Sequence, residues 1–168
     1  MAGSGFAYMF LPFTLAIGLW VAWSDMKTMK IPNQSVLALL AVYLVVGPLA
    51  LPLQVWLWGW AVGFGVLVLG FVLNAAGAMG GGDAKFAAAM APIMSQIDLR
   101  VLAVLTCATV LGAFVTHRIF GFIPPLRRRF VWSSWDQPGF PFRSDFPMGL
   151  ALAGILNFYL LSTILPQF

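Results

Sequence analysis

The chain has 168 residues and a net charge of +4, and 61% of its residues are hydrophobic whereas only 8% are charged. This composition excludes an ordinary soluble domain and is typical of a protein that crosses a membrane several times. A single cysteine excludes a disulfide framework and a multi-cysteine zinc site, and the excess of Lys and Arg indicates membrane topology, not nucleic-acid binding.

Six apolar stretches predict six transmembrane helices in one all-α domain covering residues 1–168: 6–23, 35–51, 56–79, 84–97, 101–120 and 148–165. No Lys or Arg precedes the first stretch, so we expect it to be a retained span and not a cleaved signal peptide. The fourth stretch is the weakest, because about 14 residues cannot cross about 30 Å of hydrocarbon unaided. We expect the glycines before it to be shielded by protein or to face a wet cavity. Gly59 and Gly63 on the third stretch predict close packing inside the protein, with dimerisation as the alternative.

The positive charges orient these six predicted spans. If the loop after the first span is cytoplasmic, eight of the nine Lys and Arg residues lie on the cytoplasmic side, as the positive-inside rule requires. Both chain termini are then non-cytoplasmic. Arg100 is left outside, where we expect a surface ion pair with Asp98. The basic, Trp-containing segment 121–147 is predicted to touch anionic lipid, with substrate docking as the alternative.

Two aspartates, Asp25 and Asp83, each follow an apolar stretch on this same side. A carboxylate near hydrocarbon is costly, so such residues usually have a function. When two carboxyls lie close together, like charge and low dielectric raise the pKa of one, and the pair shares a proton. The ionised member can take a proton from water while the protonated member donates to a carbonyl oxygen. The pair therefore predicts peptide hydrolysis with no metal and no cofactor.

The residues around the two aspartates fit a site that holds extended peptide. Glycines allow close backbone approach and unusual φ and ψ values, and three of them precede Asp83: Gly80, Gly81 and Gly82. Pro32 is expected to restrain the start of the second span, and Asn33 to cap its first turn. Lys85 is expected to tune the local field or to bind lipid phosphate.

At these motifs the chain resembles the type IV prepilin peptidases, which are membrane aspartic proteases. Residues 25–33 match the family's Asp, basic stretch and Ile-Pro-Asn, with Lys30 where Arg is frequent. The family's Gly-x-Gly-Asp-x-Lys signature is met by Gly80, Gly82, Asp83 and Lys85. A weaker similarity is the aromatic-Pro-x-Gly stretch at residues 146–149, where Met148 replaces the aromatic often seen at the third position.

The resemblance implies an enzyme of the bacterial inner membrane that removes the short basic leader of prepilins or pseudopilins at the cytoplasmic face. It implies that Asp25 and Asp83 are the catalytic pair. Cys107 is the only cysteine, so the paired Cys-x-x-Cys motifs of the family's N-methyltransferase segment are absent. The chain thus resembles the short branch that serves Flp-type tight-adherence pili, and methylation is not expected.

Two alternatives remain open from the sequence: a small ion- or proton-coupled transporter, and a non-catalytic membrane subunit of a pilus or secretion system. The peptidase is favoured over the transporter because transporters usually place their charged residues near the bilayer midplane. The sequence does not identify the pilin or the oligomeric state.

Overall fold

In a computed structural model, residues 5–123 and 147–165 are described. These residues form helices and no strands: α1 (Gly5–Thr28), α2 (Asn33–Ala50), α3 (Leu53–Ala75), α4 (Gly81–Met90), α5 (Leu99–Phe122) and α6 (Met148–Ile164). The all-α prediction is confirmed. The predicted lipid contact of segment 121–147 falls almost wholly outside the described residues.

Four of the six helices are long and apolar enough to cross a membrane, namely α1, α2, α3 and residues 99–119 of α5. The remaining two are shorter. Helix α6 is apolar but has 17 residues, and α4 has only 10. A multi-pass membrane protein follows from the four long helices, whereas six full spans and the placement of the termini remain predictions.

Helix α4 differs most from its predicted span, 84–97. It begins three residues earlier, at Gly81, and ends at Met90, just before Pro92, which cannot donate a helical hydrogen bond. The chain continues in turns, as in the hydrogen bond from the Ile97 N–H to the Met94 carbonyl oxygen at 2.9 Å. Because α4 packs against α2, α3 and α6, surrounding protein shields the short helix and the turns after it.

Glycines on α3 allow α4 to pack closely against it. A Cβ atom at Gly63 would lie 2.8 Å from Cγ of Pro92, and one at Gly70 would lie 2.9 Å from Cβ of Ala84. At Gly59 a Cβ would overlap the Tyr43 hydroxyl. The predicted internal packing of Gly59 and Gly63 is confirmed, and it fixes α4 relative to the long helices.

Helices α1 and α6 form an antiparallel pair with extensive contact. Near one end of the pair, the rings of Phe6 and Tyr159 have centroids 6.5 Å apart. Midway, Asn157 Nδ2 donates to the Thr14 carbonyl oxygen at 3.3 Å. The far end of the pair brings the last turn of α1 to the first turn of α6, beside the starts of α2 and α4.

Candidate active site

A cavity of about 890 Å³ opens at this end of the bundle. It is lined by the α1–α2 connection, the α3–α4 connection with the first turn of α4, and the start of α6. The lining residues are Asp25, Met29, Lys30, Ile31, Asn33, Leu73, Ala78, Met79, Gly80, Gly81, Gly82, Asp83, Lys85 and Met148. The structure therefore brings together the two aspartates and every predicted neighbouring residue except Pro32.

Asp25 lies in the last turn of α1 and is only 5% exposed. Its Oδ2 atom accepts a hydrogen bond of 2.6 Å from the backbone N–H of Gly149, in the first turn of α6. Directly after α1, Met29 adopts a positive φ of 53°, which is uncommon for a residue other than glycine. This sharp turn directs the chain into α2 along the edge of the cavity.

Asp83 lies in the first turn of α4 and is half-buried. Its surroundings raise its pKa to about 6: burial is the larger cause, and the negative charge of Asp25 is the second. A helix N-terminus favours an anion by about 0.3–1 kcal/mol, so burial and the second carboxyl outweigh that effect. The two carboxyls are thus within electrostatic reach of each other.

The three glycines before Asp83 have a different role from the one expected. None of them has a positive φ; among the described glycines only Gly77 does, at 73°. The prediction of unusual backbone angles is therefore wrong for Gly80, Gly81 and Gly82. Gly80 instead leaves room for the carboxyl, because a Cβ there would lie 2.5 Å from Oδ2 of Asp83 and the carboxyl would have to turn away. At Gly81 and Gly82 a Cβ would make ordinary contacts of 3.4 Å or more.

The start of α2 also differs in detail. Pro32, with φ of −65°, is the residue that precedes the helix, and it is held by the Ser35 hydroxyl, which donates to its carbonyl oxygen at 2.7 Å. Asn33 is already the first helical residue, so its predicted capping role is wrong. Its Oδ1 accepts from Nζ of Lys85 at 3.4 Å, which links the first residue of α2 to α4. Lys30 and Lys85 are both exposed at the cavity.

Gly149 is the site residue that sequence reasoning missed. In the sequence it is the last residue of the weaker motif at 146–149, which predicts no role for it. It lies 124 residues from Asp25 along the chain, and no local pattern connects the two. The signal that could have found it is the glycine itself, placed in the first turn of a helix that begins on the same side as the two aspartates.

Asp98 has a separate, structural role. Its Oδ1 accepts a hydrogen bond of 2.7 Å from the backbone N–H of Arg100, so it caps the start of α5. The ion pair expected between these two side chains is replaced by this cap. Within residues 5–123 and 147–165, no group of three or more His, Cys, Asp or Glu residues is placed to hold a metal ion.

Comparison with protein families identifies a match over most of the helical bundle. A family model described as the type IV leader peptidase family matches residues 12–117, which is more than half of the chain and includes both aspartates. Gly149 lies beyond the matched residues. No curated protein and no solved structure matches the chain.

Proposed function

Because the chain belongs to the type IV leader peptidase family, we propose that it is a membrane aspartic endopeptidase that removes the leader of Flp-like type IV prepilins. The observation that carries this proposal is the shared cavity, lined by both Asp25 and Asp83, in which the charge of one carboxyl acts on the other. In this proposal the aspartate end of the bundle is at the cytoplasmic face of the inner membrane.

The chemistry needs only the two carboxyls and water. The ionised carboxylate takes a proton from a water molecule as its oxygen attacks the scissile carbonyl carbon, while the protonated carboxyl donates to the carbonyl oxygen. A tetrahedral diol forms, and its collapse breaks the C–N bond with a proton passing to the leaving nitrogen. The pair titrates as one unit in this scheme.

The cavity suits a peptide substrate in size and position. Its volume of about 890 Å³ lies within the range of about 300–1,000 Å³ that is usual for ligand sites. Its place at the end of apolar helices lets the hydrophobic part of a prepilin stay in the bilayer while the leader junction reaches the aspartates. No observation on the described residues favours the transporter or the non-catalytic subunit.

A cleavage assay tests the proposal. Membranes that contain the protein are incubated with an Flp-type prepilin, and the processed product is separated by size. We expect Asp25→Asn and Asp83→Asn each to reduce cleavage by at least 1,000-fold, because either change removes one of the two proton-transfer groups.

The matched control is Asp98→Asn. Asn caps helices about as well as Asp, and Asp98 is a cap at the start of α5, not a cavity residue. This variant should cleave at close to the wild-type rate. Substantial cleavage by both cavity variants, at wild-type expression levels, would show that the aspartate pair does not perform the reaction.

A further inference from the structure

One backbone group reaches the aspartate pair from a distant part of the chain. The N–H of Gly149 donates to Oδ2 of Asp25 at 2.6 Å, and this hydrogen bond is buried. In the part of the chain that the structure describes, no comparable donor reaches the carboxyl of Asp83. The two members of the pair therefore have different surroundings.

The first turn of α6 makes this contact available. Backbone N–H groups in the first turn of a helix have no acceptor within the helix, so the Gly149 N–H needs a partner elsewhere. Asp25 is that partner, and a short N–H···O bond to a carboxylate is stronger than one to a neutral acceptor. Burial of Asp25 opposes its ionisation, and this hydrogen bond to the charged form offsets part of that cost.

Glycine is the only residue that fits at this position. A Cβ atom at residue 149 would lie 2.9 Å from Oδ2 of Asp25 and 3.0 Å from both its Cβ and Cγ. The Asp25 side chain is short and its Cβ is fixed by α1, so it cannot move aside as a long flexible side chain could. Any larger residue must displace the carboxyl or separate α1 from α6.

We propose that Gly149 is the positioning residue of the pair: its N–H holds Asp25 as the ionised base, and Asp83 carries the shared proton. This assignment rests on the proposed peptidase function. It explains why the first turn of α6 belongs to the site although it lies outside the matched family region.

The assignment sets the direction of each proton transfer. Gly149 occupies Oδ2 of Asp25, so the other oxygen of Asp25 takes the proton from water, and the water oxygen bonds to the scissile carbon. Asp83 gives its proton to the carbonyl oxygen, which forms the diol. On collapse, one diol hydroxyl returns a proton to Asp83, Asp25 passes its proton to the nitrogen, and the C–N bond breaks.

Gly149→Ala tests the role in the full chain, reconstituted in liposomes and supplied with a prepilin. We expect kcat to fall about 100-fold, the usual effect of a displacement of about 1 Å at a reacting group, with KM changed less than threefold. The low-pH limb of kcat/KM should also move to higher pH, because the Asp25 carboxylate loses the hydrogen bond that favours its ionised form. Gly112→Ala is the control, since a Cβ there has no neighbour within 4 Å.

If Gly149→Ala has the same kcat as the wild type, or a lower kcat with an unmoved pH limb, the proposed role of Gly149 is overturned. The peptidase proposal still stands in that case, provided that the wild-type protein cleaves the prepilin. If the wild-type chain itself cleaves no prepilin, the peptidase proposal fails and this assignment fails with it.

Amide hydrogen exchange tests the contact even if Gly149→Ala does not fold. In the wild-type chain the Gly149 amide should exchange at least tenfold more slowly than in Asp25→Ala, because only Asp25 supplies its acceptor. Equal exchange rates in the two proteins would refute the proposed positioning.

Discussion

Asp83 is held in surroundings that oppose its ionisation. It is half-buried in the first turn of α4, and the negative charge of Asp25 acts on it. Burial and this charge together raise its pKa to about 6. An Asp side chain has a pKa near 3.9 in water, so at pH 5 this carboxyl keeps a proton that an exposed aspartate would have lost. A proton-sharing pair can therefore exist in weakly acidic solution without any substrate.

This raised pKa predicts how cleavage depends on pH. The pair must hold one proton to act, and that proton is lost as pH rises through the pKa of Asp83. We expect kcat/KM, which reports the free enzyme, to be highest below pH 6 and to fall about tenfold per pH unit above it. The measurement is cleavage at low prepilin concentration from pH 5 to pH 8.

Tryptophan fluorescence at each pH is the control, because it shows whether the protein stays folded across the range. A flat profile between pH 5 and pH 8 would mean that the loss of the proton from Asp83 does not limit the reaction.

The same raised pKa affects stability. When folding raises the pKa of a carboxyl, the free energy of unfolding is unaffected at pH values below the unfolded-state pKa. It falls as pH rises through the folded-state pKa. Asp83→Asn removes this penalty, so the variant should be more stable than the wild type at pH 7.5 and equally stable near pH 3.5. Unfolding by SDS in mixed micelles at the two pH values measures the difference, and a larger gain at pH 3.5 would contradict the assignment.

Each of the two carboxyls lies against a glycine, but the local sequence predicts only one of these contacts. Gly80 comes three residues before Asp83, so the Gly-rich run leads directly to it, even though the reason is space and not backbone angle. Gly149 contacts Asp25 only because α1 and α6 pack antiparallel. Sequence can identify a motif and its residues, whereas a contact across 124 residues requires the packing.

At the level of helices, the position of Asp83 depends on how α4 packs against α3. Helix α4 is too short to span the membrane and is held by its neighbours. Gly63 allows the turn at Pro92 to approach α3, and Gly70 does the same for Ala84, next to Asp83. The sequence predicted glycine-mediated packing of α3 and a fourth stretch too short to cross the bilayer unaided. It could not predict which helices shield α4, because apolar patterning does not distinguish contact with protein from contact with lipid.

Two substitutions on α3, Gly63→Ala and Gly65→Ala, distinguish the effect of helix packing on stability from the effect of helix propensity. A Cβ at Gly63 would lie 2.8 Å from Pro92 and 3.1 Å from the Ala88 carbonyl oxygen, whereas one at Gly65 has no neighbour within 4 Å. We expect Gly63→Ala to lower the free energy of unfolding by about 1–3 kcal/mol through overpacking. Gly65→Ala should raise it by about 0.5–1 kcal/mol, since Ala favours helix.

Reversible unfolding by SDS in mixed micelles measures both values. Equal effects of the two substitutions would mean that α3 and α4 do not pack through Gly63.

At the level of the whole molecule, the helical bundle has two ends with different features. The cavity with both aspartates lies at one end, together with the start of α2, whereas the turns around Gln96 lie near the start of α3, at the other. The sequence predicted the shared end of the aspartates from charge alone, since the positive-inside rule placed both on one side. The number of spans was less predictable, because α6 and α4 fall short of the length that crosses a bilayer.

The proposed orientation is tested with cysteines at two matched glutamines, Gln34 and Gln96. Both are exposed, and they lie at opposite ends of the bundle: Gln34 in the first turn of α2, beside the cavity, and Gln96 in the turns before α5. Each Gln→Cys variant is made with Cys107→Ala, which removes the natural cysteine. If the aspartate end is cytoplasmic, a membrane-impermeant maleimide should label Gln96→Cys in spheroplasts and Gln34→Cys only after lysis. The reverse pattern would place Asp25 and Asp83 on the outer side, where a cytoplasmic leader junction cannot reach them.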